Sequence, residues 1–191
     1  MKTNDTVIRF TGIGGQGILF AGKMLAEAAL SAGIHPCFAP SYGAEKRGGP
    51  SECTVILSHG ELPSPCASRS QAAVVMNGAS FLREEQRLAG GGIIVVNSSV
   101  CGDLKLSRAD LSLFPVPASE LAEKLKNDRV ANVVITGALA ELLGAHLGIQ
   151  LSQEHLVEGL KRTLAGKGDL MAVNTEALTC GQEYARSLAS Q

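Results

Sequence analysis

The feature that most constrains the fold is a glycine-rich turn between a strand and a helix, near the start of a 191-residue chain. An apolar run at 7–11 predicts the strand, residues 12–17 read GIGGQG, and apolar residues at helical spacing predict a helix over 18–32. Gly33 follows, where the end of a helix favours glycine. This order of strand, glycine turn and helix is typical of the first unit of a Rossmann-like α/β domain.

Further apolar runs predict the rest of the sheet. The predicted strands lie at 35–39, 52–58, 72–76, 92–97 and 113–117. Prolines in the last run place it at the edge of the sheet. Helices are predicted at 79–88, 120–125, 132–145, from Ser152 onward and within 170–188, with Ser119 and Ser152 as N-terminal caps. We therefore predict an α/β fold, a single Rossmann-like, doubly wound domain over 1–191 with a mostly parallel sheet and extra C-terminal helices.

Composition excludes several classes of protein. The net charge of −1 provides no basic face, so we expect no nucleic-acid partner. The five cysteines are scattered, without a C-x-x-C pair or metal spacing, so we predict no metal site in this chain. Free thiols suit a reducing cytoplasm. We find no signal peptide and no run of about 18 apolar residues, so we expect a cytoplasmic protein without a membrane span.

The glycine turn has three interpretations. A dinucleotide site needs an acidic residue at the end of the second strand, but residues 37–40 read CFAP. A phosphate-binding P-loop needs Ser or Thr after the lysine, but Met24 follows Lys23. The third interpretation is structural: the glycines let strand and helix approach closely, and the turn faces a partner. In that case the Gln16 amide could donate to a ligand or a neighbouring chain.

A second polar loop, PSYGAEKRGGP at 40–50, follows the second strand. Parallel strands present their carboxyl ends at one edge of a sheet, where ligands bind. We therefore expect this loop to lie beside the glycine turn. A solvated surface loop is the alternative interpretation.

Together, the G-x-G-G-Q-G turn and the P-S-Y-G-x-E-x-R-G-G loop resemble those of the gamma subunit of pyruvate/2-oxoglutarate-type 2-oxoacid:ferredoxin (acceptor) oxidoreductases. The resemblance implies a multi-subunit enzyme that oxidatively decarboxylates a 2-oxoacid to an acyl-CoA, with 2-oxoglutarate favoured. It implies thiamine diphosphate, Mg, iron–sulfur clusters and CoA as cofactors of the complex, none held by this chain alone. The implied partners are alpha, beta and ferredoxin-like subunits, with ferredoxin as acceptor.

We predict no catalytic residue here, because none of the four histidines adjoins a Ser or Cys in a triad context. The chain would be inactive in isolation, and its two loops would face a partner or substrate. The alternative is a free-standing nucleotide-binding Rossmann-like enzyme or an interaction module. The predicted partner- or substrate-facing residues are Gly12, Gly14, Gly15, Gln16, Gly17, Ser41, Tyr42, Gly43, Glu45, Arg47, Gly48 and Gly49.

Overall fold

The structure is a computed structural model that describes residues 5–42, 49–60, 69–166 and 168–189. Within these ranges the chain forms six strands and seven α-helices. The strands are β1 (Asp5–Ile13), β2 (His35–Tyr42), β3 (Pro50–Ser58), β4 (Ser70–Val75), β5 (Leu88–Asn97) and β6 (Ser112–Val116). The helices are α1 (Ile18–Ser31), α2 (Phe81–Arg87), α3 (Ser98–Cys101), α4 (Ala118–Lys124), α5 (Ala131–Leu147), α6 (Gln153–Leu164) and α7 (Met171–Ala189).

The strands form one sheet in the order β2-β3-β1-β4-β5-β6. β1, β4, β5 and β6 pair in parallel, whereas β3 pairs antiparallel with both β1 and β2. β2 therefore runs in the same direction as β1, and only β3 is reversed. The predicted mostly parallel α/β fold is confirmed, as is the edge position of the proline-bearing strand β6. The C-terminal ends of β1 and β2 and the N-terminal end of β3 lie at one edge, which we call the carboxyl edge.

Aliphatic side chains cover both faces of the sheet. Ile8 and Phe10 of β1 point towards the larger core, which α1, α5, α6 and α7 complete. The opposite face holds a smaller cluster, in which Phe81 of α2 packs against Val75 and Val96. Successive side chains of a strand point to opposite faces of the sheet, so one strand can contribute to both clusters. Helices on both faces explain why residues 72–75 of β4 and 93–96 of β5 are continuous apolar runs.

The C-terminal helices approach each other at backbone distance. An added Cβ at Gly137 would lie 2.2 Å from the Leu178 carbonyl oxygen, and one at Gly181 would lie 1.9 Å from the Val134 oxygen. Gly159 of α6 makes a similar contact with α1, where an added Cβ would lie 2.6 Å from the backbone of Met24. These glycines are therefore needed for helix packing.

Helix α5 has the apolar composition of a membrane span although it lies in the core. Residues Asp128–Leu147 have the length and mean hydropathy, 1.5, of a membrane-crossing helix. However, 72% of the most apolar window is buried inside the fold. A helix that is apolar all round is also typical of a protein core, and that is the position of α5 here.

The two predicted serine caps have different outcomes. Ser152 caps α6 as expected: its hydroxyl accepts from the His155 N–H, and His155 Nδ1 accepts from the Ser152 N–H. Ser119 does not cap α4, because Pro117 is the N-cap residue. The Ser119 hydroxyl instead accepts a 2.9 Å hydrogen bond from Asn97 at the end of β5. That contact joins residues distant in sequence, so the local pattern missed it.

Candidate functional site at the carboxyl edge

The glycine turn and the β2–β3 connection meet at the carboxyl edge. The Gly14 N–H donates a 2.9 Å hydrogen bond to the Gly49 carbonyl. β3 begins at Pro50, which pairs with Ile13 at the end of β1. The structure thus brings together the turn at 12–17 and the described ends of the loop at 40–50.

Gln16 is engaged within the domain. Its Oε1 accepts from the Ile13 N–H at 2.9 Å, and its Nε2 donates to the Met76 carbonyl at 3.0 Å. The amide therefore joins the end of β1 to the end of β4. These two hydrogen bonds hold the turn, while the donation of Gln16 to a ligand or partner stays a prediction. Sequence reasoning missed this role, because Met76 lies far along the chain.

Two of the glycines in the turn have positive φ, Gly15 at 100° and Gly17 at 72°. Space around Gly15 is open, whereas an added Cβ at Gly17 would lie 2.2 Å from Asn132 Nδ2. Asn132 Nδ2 donates to the Gly17 carbonyl at 3.2 Å. Gly12 has no positive φ, but an added Cβ there would lie 2.5 Å from Gln16 Oε1. Glycine is thus favoured at Gly15 by the backbone conformation, at Gly12 by the lack of space for a side chain, and at Gly17 by both.

The outward side of this edge is accessible. Gly14 and Gly15 are exposed, Gln16 and Gly17 are half-buried, and Gly12 is buried. At the second loop, Ser41 and Pro50 are exposed, while Gly49 is buried beneath the turn. The Tyr42 backbone ends β2. Gly43, Glu45, Arg47 and Gly48 lie outside the described residues.

Large apolar side chains are exposed at the same edge. Ile13 ends β1, Leu82 lies in α2 after β4, and Val100 lies in α3 after β5, with exposed fractions of 39%, 65% and 51%. β1, β4 and β5 are neighbours in the sheet, so the segments that carry these side chains follow one another at this edge. Arg83, next to Leu82, forms an ion pair with Glu52 of β3. Exposed apolar side chains with polar neighbours are typical of a protein interface.

The cysteines that the structure describes do not form a metal centre. In the described ranges, no group of three or more His, Cys, Asp or Glu side chains is arranged to hold a metal ion. Cys53 is buried beneath α1, where its thiol contacts the Ile18 carbonyl at 3.5 Å, and burial raises the pKa of this thiol to about 12. Burial also raises the pKa of Cys101 above its ordinary value. Cys66 lies outside the described residues. The described thiols are dispersed, whereas an iron–sulfur cluster needs clustered thiolates.

Fold and edge together define a class: a Rossmann-like α/β domain whose glycine turn meets the end of β2 and the start of β3 at one edge. Residues 7–184 match the family described as pyruvate ferredoxin/flavodoxin oxidoreductase. The chain belongs to this family.

Relatives and solved structures agree with that assignment. The ketoisovalerate oxidoreductase subunit VorA of Methanothermobacter thermautotrophicus is 36% identical over 94% of this chain, which spans only 36% of that relative. The 2-oxoglutarate synthase subunit KorC of Methanothermobacter marburgensis is 34% identical over 72% of this chain and 77% of its own length. A keto/oxoacid ferredoxin oxidoreductase gamma subunit from Geobacter sulfurreducens superposes with a TM-score of 0.77 at 27% identity, covering 95% of this chain and 99% of that one. The resemblance to gamma subunits read from the two motifs is confirmed.

Proposed function

We propose that this chain acts as the gamma subunit of a cytoplasmic, multi-subunit 2-oxoacid:ferredoxin oxidoreductase. The complex would decarboxylate a 2-oxoacid, pass the electrons to ferredoxin and transfer the acyl group to CoA. The observation that carries the proposal is the match to a gamma subunit over 95% of this chain and 99% of that structure.

The proposal divides the chemistry between chains. Thiamine diphosphate, Mg and the iron–sulfur clusters would be held by alpha, beta and ferredoxin-like subunits. In this chain the described thiols are scattered, and Cys53 is buried and protonated, which does not suit cluster ligation. The chain would therefore contribute surface and shape to the complex rather than a redox group.

We assign the docking role to the carboxyl edge. Gly14 and Gly15 offer exposed backbone, and Ile13, Leu82 and Val100 offer exposed apolar area beside them. Burial of such side chains by a partner would contribute about 25 cal/mol for each Å² of apolar surface. The loop at 40–50, with Ser41, Tyr42, Glu45 and Arg47, would supply polar contacts at the rim, where Arg suits a carboxylate or phosphate.

The 2-oxoacid remains a prediction, with 2-oxoglutarate favoured. One relative is named for ketoisovalerate and another for 2-oxoglutarate. Their similar identity to this chain, 36% and 34%, favours substrate selection by the other subunits. An assay of the complex with 2-oxoglutarate, ketoisovalerate and pyruvate would rank the acids directly.

The test is purification of the tagged chain from its native cell. We expect large partner chains to co-purify, and we expect the complex to reduce a viologen dye with a 2-oxoacid and CoA. The chain produced alone should be colourless and inactive with every 2-oxoacid. Turnover by the isolated chain, or the absence of partner chains, would contradict the proposal.

A further inference from the structure

A pocket of about 500 Å³ lies on the helical side of the glycine turn, where several helices begin. Its size is within the range of small-molecule sites. The wall contains backbone, amide, apolar and guanidinium groups. The described lining residues are Gly17, Phe20, Asn127, Arg129, Val130, Asn132, Leu164, Leu170 and Asn174.

Three helix N-termini contribute to this wall. Gly17 is the N-cap of α1, Val130 is the N-cap of α5, and Leu170 immediately precedes α7. The N-terminal end of a helix carries a partial positive charge and unpaired N–H groups. These ends therefore create a positive potential in one place.

The end of α1 lacks its usual internal partners, because it has no side-chain cap and no acidic residue in its first turn. α5, in contrast, continues the 3-10 turn at 128–130, where the Asn127 side chain accepts from the Arg129 N–H at 3.1 Å. The first N–H that pairs within α1 is that of Ala21, which donates to the Gly17 carbonyl at 3.0 Å. The N–H groups of Ile18, Leu19 and Phe20 consequently point out of the helix without an intrahelical acceptor. α6, by contrast, has a complete capping box.

Asn132 supplies an independent indication of a ligand. It is only 6% exposed, it lines the pocket, and its Nδ2 donates to the Gly17 carbonyl. Its Oδ1 is buried and receives no hydrogen bond from the described residues. A buried acceptor without a donor costs roughly 1–3 kcal/mol, which a ligand with an O–H or N–H would offset.

The charges around the pocket favour an anion. Arg129 is the charged side chain among the described lining residues, and it is exposed at the mouth. Asp128 and Asp169 lie nearby in the short 3-10 turns before α5 and α7; both are exposed and neither lines the pocket. Exposed carboxylates are largely screened by water. The fixed helix ends and Arg129 therefore dominate inside.

We infer that this pocket is a binding site for a small oxyanion, a phosphate or a carboxylate group, that also carries a hydrogen-bond donor. The oxyanion sits at the N-terminus of α1, where the N–H groups of Ile18, Leu19 and Phe20 donate to it. Arg129 balances its charge, and the donor of the ligand pairs with Asn132 Oδ1, which is enclosed here, once the amide turns towards the pocket. This site goes beyond the proposed docking role, because it lies behind the turn whose outward side holds Gly14 and Gly15.

The test is an NMR titration of the 191-residue chain, once with inorganic phosphate and once with 2-oxoglutarate. At about 10 mM a site with a Kd near 1 mM is largely filled. We expect saturable shifts of the amide signals of 18–20 and of the Asn132 side chain. Shifts with phosphate alone would assign a phosphate-bearing ligand, and shifts with 2-oxoglutarate alone would assign a carboxylate; either result supports the site.

Two arginine variants provide the control. Arg129 is exposed, so Arg129→Gln should fold normally and weaken the affinity about fivefold. Arg69 is exposed at the start of β4, at the other end of the sheet, so Arg69→Gln should leave the affinity unchanged. Absence of these amide shifts with both anions would overturn the inference, as would equal losses in the two variants. Neither result depends on whether the chain joins an oxidoreductase complex.

Discussion

The Gly14 N–H donates a hydrogen bond to the Gly49 carbonyl across 2.9 Å. This contact holds the glycine turn against the start of β3, so the two glycine-bearing segments form one surface. The reversed direction of β3 makes the contact possible, because β3 begins at the edge where β1 and β2 end. The surface that we assign to docking is thus built by the topology of the sheet.

Substitutions at Gly15 and Gly17 distinguish the cost of backbone strain from the cost of steric overlap. Gly15→Ala should cost about 1 kcal/mol of unfolding free energy, because its positive φ is disfavoured but its surroundings are open. Gly17→Ala should cost about 3 kcal/mol, because the new Cβ would also overlap Asn132. Urea denaturation measures both values, and equal losses would show that the Asn132 contact is unimportant.

Gln16 should stabilise the turn through its two amide hydrogen bonds. We expect Gln16→Ala to lower the free energy of unfolding by about 2 kcal/mol, since the Ile13 N–H and the Met76 carbonyl lose their partners. Gln86 is exposed on α2, and Gln86→Ala should change stability by less than about 0.5 kcal/mol. If the two substitutions have the same effect in urea denaturation, Gln16 does not hold the turn.

Gly181 sets the separation of α5 and α7. Gly181→Ala would direct a Cβ at the Val134 carbonyl, so we expect a loss of about 3 kcal/mol. Gly168 has no atom within 4 Å of an added Cβ, and Gly168→Ala should be neutral within about 0.5 kcal/mol. Thermal unfolding followed by circular dichroism compares them. A neutral Gly181→Ala would mean that the helices can separate without loss.

Burial of the Cys53 thiol should lower the free energy of unfolding at alkaline pH. Its pKa rises from the ordinary value of 9.0 to about 12 in the folded chain, because burial disfavours the thiolate. Below pH 9 the thiol is protonated in both states and has no effect. Between pH 9 and about 12 the unfolded chain releases this proton and the folded chain keeps it, so stability falls by up to about 1.4 kcal/mol per pH unit.

The control is Cys53→Ala, which removes this thiol. The difference in unfolding free energy between wild type and Cys53→Ala should stay constant below pH 9 and then move in favour of the variant. Other groups titrate in both proteins and cancel in the difference. A difference that is flat up to pH 11 would contradict the burial of this thiol.

Much of the fold could be predicted from the sequence, because β4 and β5 each contain an unbroken apolar run and the glycine turn marks the strand–helix unit. The reversed direction of β3 could not, since alternation along a strand does not encode direction. The same limit applies to the site. Residues 12–17 were identified from local pattern, but the roles of Gln16 and Asn132 depend on Met76 and Gly17, which only the fold brings near. The apolar residues Leu82 and Val100 carry no motif and emerge from exposure alone.

The central claim is that the carboxyl edge docks onto the other subunits, and two exposed leucines test it most directly. Leu82 lies at this edge, whereas Leu30, 49% exposed near the end of α1, lies at the opposite end of the domain. The measurement is the affinity of the purified partner subunits for Leu82→Asp and Leu30→Asp. We predict a loss of at least about 30-fold for Leu82→Asp, the size of an interface hot spot, and an unchanged affinity for Leu30→Asp. Unchanged affinity for Leu82→Asp, with a loss for Leu30→Asp, would contradict the account.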